Sequence, residues 1–380
     1  MKILLIFMFV IGIVLGNDLT EYFDSNLQFC ADTYKEHSSK TIGSFLICPH
    51  SAQTILALAA VGAKNNTAQQ LSTALRLPND VTKIQNTFQT LFSKSDIKKE
   101  YQLMSANKIY VNKNIQIKKD FEKVAKDAFK SEITNIDFSN KKDASREINQ
   151  WVENKTCNKI KDVISEDSVK PNTAAILVNT LYFHGLWVDP FGKDVDRPFH
   201  VSKTETIKTK MMSQRNFFNY HNNKNLKAEF LEVPFKGDDV VMTFVLPKEV
   251  DGLANLEKHI PSVLAFQSYR KEDVVVTLPK FTIESKINVK TLMQVLGAAE
   301  PFTLLANFKG ISDTPLYIDE VIQKTFIEIN EKGATAASAT EATIAPNSMP
   351  RAFFVADHPF IYYLRHKVHG VMFVGRFASP

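Results

Sequence analysis

The stretch Glu331–Pro350 reads EKGATAASATEATIAPNSMP and follows the strand-like run VIQKTFIEIN at Val321–Asn330. After Gly333, the residues from Ala334 to Ala345 are all Ala, Thr, Ser, Glu or Ile, without Pro or Gly. Ala is a poor strand former, and so small and polar a stretch buries too little apolar surface to order itself. These properties favour an exposed flexible linker.

A second interpretation is that this stretch can become a β-strand. Alternate residues of a strand face the same side. One alternate set here has no charge and little bulk, whereas the other set contains Glu341. The uncharged set is Ala334, Ala336, Ser338, Thr340, Ala342 and Ile344. Every residue keeps its backbone N–H until Pro346, so a ladder of hydrogen bonds would not be interrupted. We therefore predict a loop that can become a central strand with one face on a core.

The rest of the chain has the composition of a large globular protein. It has 380 residues, of which 44% are hydrophobic, and this is ample for a sizeable core. The apolar run Ala174–Phe183 is typical of a strand buried on both faces. Apolar residues recur at helical spacing over Phe121–Phe129 and Ala144–Val152. No composition shift, repeat or long linker divides the chain, so we predict one mixed α+β domain over residues 17–380.

The first residues read MKILLIFMFVIGIVLG. One Lys, an apolar run and small residues at Gly12 and Gly16 are typical of a secretory signal peptide over residues 1–16. The alternative is a membrane anchor, but the run is shorter than the ~20 residues that a spanning helix needs. We expect cleavage near Gly16–Asn17 and a secreted, extracellular protein that does not span a membrane.

The charge pattern gives little support for polyionic partners. The formal net charge of +5 is mild for this length, and no basic run is interleaved with aromatic residues, as nucleic-acid binding would require. Lys94, Lys98 and Lys99 form a weak candidate site for a polyanion, although a solvated face explains them more simply.

The three cysteines, Cys30, Cys48 and Cys157, are too few and too scattered for a disulfide framework. Cys48 lies in an apolar run and is expected to be a buried thiol, while the pairing of any two cysteines stays open. Two Asn-x-Thr sequons begin at Asn65 and Asn154. In a secreted protein both asparagines are candidate glycosylation sites.

Common catalytic motifs are missing from the sequence. It contains no G-x-S-x-G, H-E-x-x-H, Walker loop, G-x-G-x-x-G or C-x-x-C pattern. His366 and His369 are three apart in a strand-like segment, which would place them on opposite faces and makes them a weak metal candidate. We therefore expect no metal, no cofactor and no enzymatic activity. A chemical event on this chain would be performed by the active site of another protein.

Several motifs, in a fixed order along the chain, resemble those of the serpins, and in particular those of secreted insect or other arthropod members. The similarity covers nearly all of residues 17–380. The motifs are NTLYFHGLW at Asn179–Trp187, RPFH at Arg197–His200, KMM at Lys210–Met212, GISD at Gly310–Asp313, FIEINE at Phe326–Glu331 and ADHPF at Ala356–Phe360.

This resemblance implies a fold of three β-sheets with about nine helices, and an exposed reactive-centre loop at about residues 331–352. It also implies a monomer whose partner is a protease. In inhibitory members the protease cleaves the loop, which then inserts into the largest sheet of a metastable fold and traps the acyl-enzyme. The fold alone does not fix this activity. The expected function is inhibition of a serine protease. The alternatives are cross-class inhibition of a papain-like or other cysteine protease, and a non-inhibitory role as carrier, storage protein or chaperone.

The resemblance also assigns roles to individual residues. The insertion hinge would comprise Glu331, Gly333, Ala334, Thr335, Ala336, Ala337, Ser338 and Ala339. A gate that controls opening of the sheet would comprise Cys48, Ser51, Asn179 and Gln323, with Trp187 at the top of the sheet where insertion begins. Three positions depart from the family pattern: Cys48 replaces a common Ser, Gln323 a common His, and Lys332 an acidic residue.

The position of the cleaved bond is less closely determined. The usual spacing in the family, counted from the hinge, implies Asn347–Ser348, whereas counting back from the family landmark His358-Pro359 implies Ser348–Met349. Met349 precedes Pro350, which a protease cleaves poorly. Arg351–Ala352 would suit a trypsin-like enzyme but lies very near the next strand. Asn fits trypsin, chymotrypsin or elastase pockets poorly, so elastase-like, subtilisin-like, papain-like and asparagine-specific targets all stay open.

Overall fold

The computed structural model describes residues 17–94, 101–334 and 349–380. The predicted signal peptide, Lys98, Lys99, residues 335–339 of the predicted hinge and the predicted cleavage bond Asn347–Ser348 lie outside these ranges. Within them the chain forms nine α-helices and two short 3-10 helices, Glu166–Ser168 and Glu300–Phe302. The α-helices are α1 Asn17–Ser38, α2 Pro49–Gly62, α3 Asn65–Ala74, α4 Val81–Ser93, α5 Lys119–Phe129, α6 Lys141–Lys155, α7 Leu253–Lys258, α8 Ile260–Leu264 and α9 Val289–Val295. None of these is long and apolar enough to cross a membrane.

The strands of the described chain follow the expected order. They are β1 Phe45–Ile47, β2 Tyr101–Asn112, β3 Glu132–Ile136, β4 Ala175–Leu186, β5 Val195–His200, β6 Thr206–Asn223, β7 Ala228–Pro234, β8 Val240–Pro247, β9 Arg270–Pro279, β10 Phe281–Asn288, β11 Glu320–Ile329, β12 Gly333–Ala334, β13 Ala352–Val355, β14 Phe360–His366 and β15 Gly370–Phe377. The mixture of helices and largely antiparallel sheets confirms the α+β class.

Hydrogen bonding joins these strands into two sheets. One sheet has nine strands in the order β1-β15-β14-β8-β7-β6-β9-β13, with β5 also on β6. The other has six in the order β10-β11-β4-β2-β3, with β12 on β4. Three sheets were expected. The second and third are continuous because the 18-residue strand β6 pairs with β5 and β9 along most of its length and with β7 at its end.

The six-stranded sheet is covered on both faces. One face packs on the nine-stranded sheet, in a core that includes Phe183, Trp187 and Phe360. The other face packs under α6, through residues such as Tyr110 and Ile148. Both faces of its central strands β4 and β11 are largely buried, and the near-continuous apolar sequence of β4 led to its prediction as such a strand.

Two helices begin earlier than their sequence suggests. Ser51 and Thr67 both look like N-caps, but α2 begins at Pro49 and α3 at Asn65. Proline is favoured at the first helical position because its missing N–H has no partner there. Ser51 therefore lies inside the buried helix α2 with its hydroxyl directed at the six-stranded sheet. The Thr67 hydroxyl instead donates to the carboxylate of Glu300, 2.5 Å away.

Candidate functional site

A seam runs between the two central strands of the six-stranded sheet. Strands β11 and β4 pair in parallel from Glu320–Ile176 to Phe326–Tyr182. Their outer neighbours, β10 and β2, run antiparallel to them. A chain that reversed direction after β11 and entered this seam would therefore run antiparallel to both of its new neighbours.

The chain makes this reversal immediately after β11. Asn330 and Gly333 exchange two backbone hydrogen bonds of 3.0 and 3.2 Å, which closes a two-residue turn. Gly333 and Ala334 then pair antiparallel with Leu186 and Gly185 of β4. This pairing lies beyond the point where β11 and β4 pair with each other. The turn thus places the first two residues of a new strand between them.

Gly333 is required by both conformation and space. Its φ of +138° is a value that side-chain-bearing residues rarely adopt. A Cβ atom at this position would lie 2.1 Å from the carbonyl oxygen of Gly185 and 2.7 Å from the Cα of Leu186. The predicted break in the strand pattern at Gly333 therefore corresponds to the closest approach of the turn to β4.

Trp187 and a lysine hold the turn in place. The buried indole of Trp187 stacks on Phe235, with ring centroids 4.2 Å apart, and its Nε1 donates to the Asn330 carbonyl at 3.0 Å. The backbone N–H of Trp187 donates to the Lys332 carbonyl at 2.9 Å. Lys280 lies 3.0 Å from the carboxylate of Glu331. The hinge residues Glu331 to Ala334 are therefore tied to the top of the sheet.

A buried polar cluster crosses the seam lower down. Asn179 of β4 is directly opposite Gln323 of β11, and the Gln323 amide donates to Asn179 Oδ1 at 2.7 Å. The Asn179 amide donates to Ser51 Oγ and to Asn107 Oδ1. Gln323 also accepts from the backbone N–H of Cys48 at 2.9 Å and donates to its carbonyl at 2.8 Å. Four predicted gate residues thus meet, joined by Asn107, which the sequence did not single out.

Cys48 and Gln323, the two residues of this cluster that depart from the family pattern, have different effects on its hydrogen bonds. Gln323 bonds both backbone groups of Cys48, and a side-chain amide can do this because it has a donor and an acceptor side by side. Cys48 takes part through its backbone, so replacing Ser by Cys does not alter these bonds. Burial raises the pKa of its thiol, which stays neutral. Trp187 lies apart from the cluster, eight residues along β4 from Asn179 or about 26 Å away.

Lys324 of β11 makes buried polar contacts on the opposite face of the sheet. Lys324 of β11 donates to the carbonyl of Lys161, in the segment that leads from α6 to β4, and pairs with Glu284 of β10. Lys324 is buried, and a buried lysine is rare without partners. The sequence carried this signal, because Lys324 is a charged residue within a run predicted to form a strand.

The far end of the loop segment returns to the edge of the nine-stranded sheet. Met349 is 90% exposed. Arg351 donates its backbone N–H to the carbonyl of Asp273 at 2.9 Å, while its guanidinium is largely exposed and lies 3.5 Å from Glu272. Ala352 then begins β13, so the backbone of Arg351 is already held at a sheet edge.

His366 and His369 lie together rather than on opposite faces, which corrects the prediction. His366 ends β14, and the turn that follows brings the ring of His369 to 4.7 Å from it and 5.0 Å from His50. Tyr22 hydrogen-bonds His50 at 2.6 Å, and Tyr101 hydrogen-bonds His366 at 3.0 Å. Burial lowers the pKa of His50 to about 3 and that of His369 well below its usual value. In the described part of the chain, no group of His, Cys, Asp and Glu is arranged to hold a metal ion.

The remaining predicted sites are the two glycosylation candidates, the polyanion candidate Lys94 and the three cysteines. Asn65 and Asn154 are exposed on α3 and α6. Lys94 is exposed at the end of α4. The thiols of Cys30, Cys48 and Cys157 are all free, the first two buried and the third exposed.

The described chain thus has a two-sheet α+β fold with a parallel seam, a hairpin that enters the seam and a buried polar cluster beneath it. Residues 24–380 match the family model described as Serpin (serine protease inhibitor). Antichymotrypsin-2 of Bombyx mori is 38% identical over 351 residues, covering 88% of this chain and 91% of the relative. Antitrypsin of Bombyx mori is 38% identical over 366 residues, covering 92% and 90%. The crystal structure of Serpin48 from Tenebrio molitor has a TM-score of 0.89 at 34% identity, covering 95% of this chain and 98% of that one. The chain belongs to the serpin family.

Proposed function

We propose that this serpin is a secreted inhibitor of serine proteases that acts as a suicide substrate. A protease cleaves the segment beyond Gly333, and the freed segment inserts between β11 and β4 with the acyl-enzyme attached. The observation that carries this proposal is the hairpin at Asn330–Gly333, whose last residues start an antiparallel strand between β11 and β4. A flexible linker at the surface would not contribute its first residues to a buried sheet.

Extending this pairing down β4 gives each inserted residue a neighbour. Ala334 is opposite Gly185, so Ala336 would lie opposite Phe183, and Ser338 opposite Leu181. Both β4 side chains are fully buried in the core between the sheets. Residues directly opposite in an antiparallel pair share a face. The uncharged alternate set would therefore face this core, where its small side chains cost little to accommodate.

Insertion lowers the free energy because the pairing between β11 and β4 is replaced by two pairings, one on each side of the inserted strand. A strand of about ten residues between β11 and β4 would add on the order of ten backbone hydrogen bonds, each contributing about 0.5–1.5 kcal/mol. The net gain is roughly 5–15 kcal/mol by this estimate. A gain of this size makes the inserted state effectively permanent and more stable to heat than the intact protein.

The bond that we propose for cleavage is Asn347–Ser348, with Ser348–Met349 as the alternative. The bond after Arg351 is disfavoured because the Arg351 N–H is bonded to Asp273 and β13 begins at the next residue. A protease cleft needs a substrate backbone with free donors and acceptors. The relatives named antichymotrypsin-2 and antitrypsin support a serine protease as target. Asn347 keeps a cysteine protease as the second candidate, because asparagine fits common serine-protease pockets poorly.

Secretion is part of the proposal. The residues 1–16 have the composition of a signal peptide. Expression of the full chain in insect cells should release the protein into the medium with Asn17 as its first residue, which N-terminal sequencing would detect. Retention in the cells with Met1 intact would overturn this part.

The function is tested by incubating the protein with chymotrypsin, trypsin, elastase, subtilisin and papain. We expect a detergent-stable complex with a serine protease, a cut between residues 347 and 351 by mass spectrometry, and a higher melting temperature for the cut chain. At about 2.1 cal/mol/K per residue, 5–15 kcal/mol corresponds to a rise of roughly 7–20 °C. Inhibition of papain alone would favour the alternative hypothesis that the target is a cysteine protease. A cut chain that melts no higher than the intact one would indicate a non-inhibitory serpin.

The variant Ala336→Arg separates cleavage from trapping. It would place an unpaired charge against the core between the sheets, at a cost of several kcal/mol. We expect this variant to be cut at the same bond without forming a complex. Lys332→Arg, which lies before the inserted segment, is its control and should still trap the protease.

A further inference from the structure

Two exposed aromatic side chains lie near the start of β13, where the loop segment rejoins the nine-stranded sheet. Phe217 of β6 is 53% exposed and Phe353 of β13 is 62% exposed. Together with Met349 they form what we term the aromatic patch. Large apolar side chains that remain exposed near one another are often interaction sites.

The register of the strands places both rings on one face of the sheet. Phe217 is opposite Asp273 of β9, while Phe353 and Arg215 are both opposite Val275 of β9. Residues 273 and 275 are two apart on one strand and so face the same side. Phe217 and Phe353 are thus two strands apart and offset by two residues, which places their backbones about 12 Å from each other in the sheet plane.

An ion pair makes the surface between the rings flat and ordered. The Arg215 guanidinium donates to both carboxylate oxygens of Asp273, at 3.0 and 2.7 Å. Two parallel bonds of this kind fix the planes of both groups. The patch therefore has an ordered polar centre between two aromatic edges.

The exposed rings are not needed for the core. The next residues along the two strands, Phe218 and Phe354, point to the other face and are buried between the sheets. Each strand therefore supplies one aromatic ring to the core and a second one to solvent. The outward rings lie outside the core between the sheets, and more than half of each residue's surface is available to a partner.

We propose that the aromatic patch is a docking surface for the target protease, and this rests on the function proposed above. Ser348 and Phe353 are five residues apart, at most about 17 Å along an extended chain. A globular domain of roughly 200 residues is about 40 Å across. A protease bound at residues 347–349 must therefore cover the patch. The part of the protease in contact with it would be the side of the cleft that binds the substrate residues after the cut bond. Apolar contact there favours proteases with an apolar surface beside the cleft.

The test compares Phe217→Ser, Phe353→Ser and the double variant with the native protein. The protease is the member of the serine-protease panel that forms the complex fastest. We expect the double variant to lose about tenfold in the second-order rate constant of association. The number of inhibitor molecules consumed per trapped protease and the melting temperature should stay unchanged, because the patch lies outside the inserting segment and the core. A merely structural role would move both of these.

A matched control replaces an exposed apolar pair far from the loop. Leu304 and Leu305 are 85% and 80% exposed, and the double change to Ser should leave association within twofold of native. An association rate within twofold for Phe217→Ser/Phe353→Ser would overturn the docking surface while leaving the proposed function intact. If the native protein trapped no protease at all, the proposed function would fall and the docking surface with it.

Discussion

Replacing Gly333 by Ala tests whether the hairpin nucleates insertion. The new Cβ would approach the Gly185 oxygen to 2.1 Å, on a backbone with φ +138°. A side chain in such a conformation costs about 1–3 kcal/mol. In the variant, the intact protein relieves this cost by releasing residues 333 and 334 from β4, whereas insertion requires them to pair with β4 again. The cost is therefore carried into the barrier to insertion. Taking about 2 kcal/mol, insertion slows roughly 30-fold.

Slower insertion changes the fate of the acyl-enzyme, because hydrolysis competes with it. We expect the ratio of cleaved, released inhibitor to trapped complex to rise roughly 30-fold for Gly333→Ala. The ratio is measured by titrating a fixed amount of protease and separating the products on a denaturing gel. The cut site should not move, since the loop beyond the hinge is unchanged.

Gly297 offers a control with the same kind of backbone. Its φ is +97°, and a Cβ there would meet no atom within 4 Å. Gly297→Ala should lower the stability of the intact protein through strain alone and leave the partition ratio unchanged. A Gly333→Ala protein that partitions like the native one would refute the nucleating role of the hairpin, and so would an equal shift in Gly297→Ala.

Two further predictions concern the buried polar groups. His50 and His369 have folded-state pKa values below the usual 6.5, so the unfolded chain binds more protons as pH falls and stability is lost below about pH 6.5. Two such groups cost roughly 3 kcal/mol between pH 6.5 and 5. The free energy of unfolding, measured at both pH values, should show this loss. The double variant His50→Asn/His369→Asn should reduce the loss, whereas the exposed control His259→Asn should not. Gln323→Leu leaves several buried donors and acceptors without partners, at a cost of about 1–3 kcal/mol each. The melting temperature of this variant should therefore be at least roughly 4 °C below that of the native protein. Gln267→Leu, whose partner carbonyls lie near the surface, should melt like the native protein.

The elements that the sequence predicted well are those whose local pattern also determines their burial. Strand β4 was visible because a strand buried on both faces must be apolar. The change of composition at Gly333 was visible because the turn at this position needs glycine. Asn107 was missed because a single Asn in a strand shows no sign of its partner, which depends on which strands pair. His366 and His369 were placed on opposite faces because the strand was assumed to continue, whereas the turn after His366 reverses it.

The register of the hairpin links the polar cluster to the composition of the loop. Continuing the β12 pairing down β4 places Thr340 opposite Asn179, at the level where Gln323 bonds Asn179 across the closed seam. Separating the strands breaks that bond and leaves buried amides without partners, which costs about 1–3 kcal/mol for each group. If the loop inserts as proposed, a threonine hydroxyl arriving between them could both donate and accept, so the loss would last only until the sixth residue after Ala334 has inserted. The cluster would then contribute to the barrier to insertion rather than to the final free-energy balance, and would delay opening without opposing the inserted state.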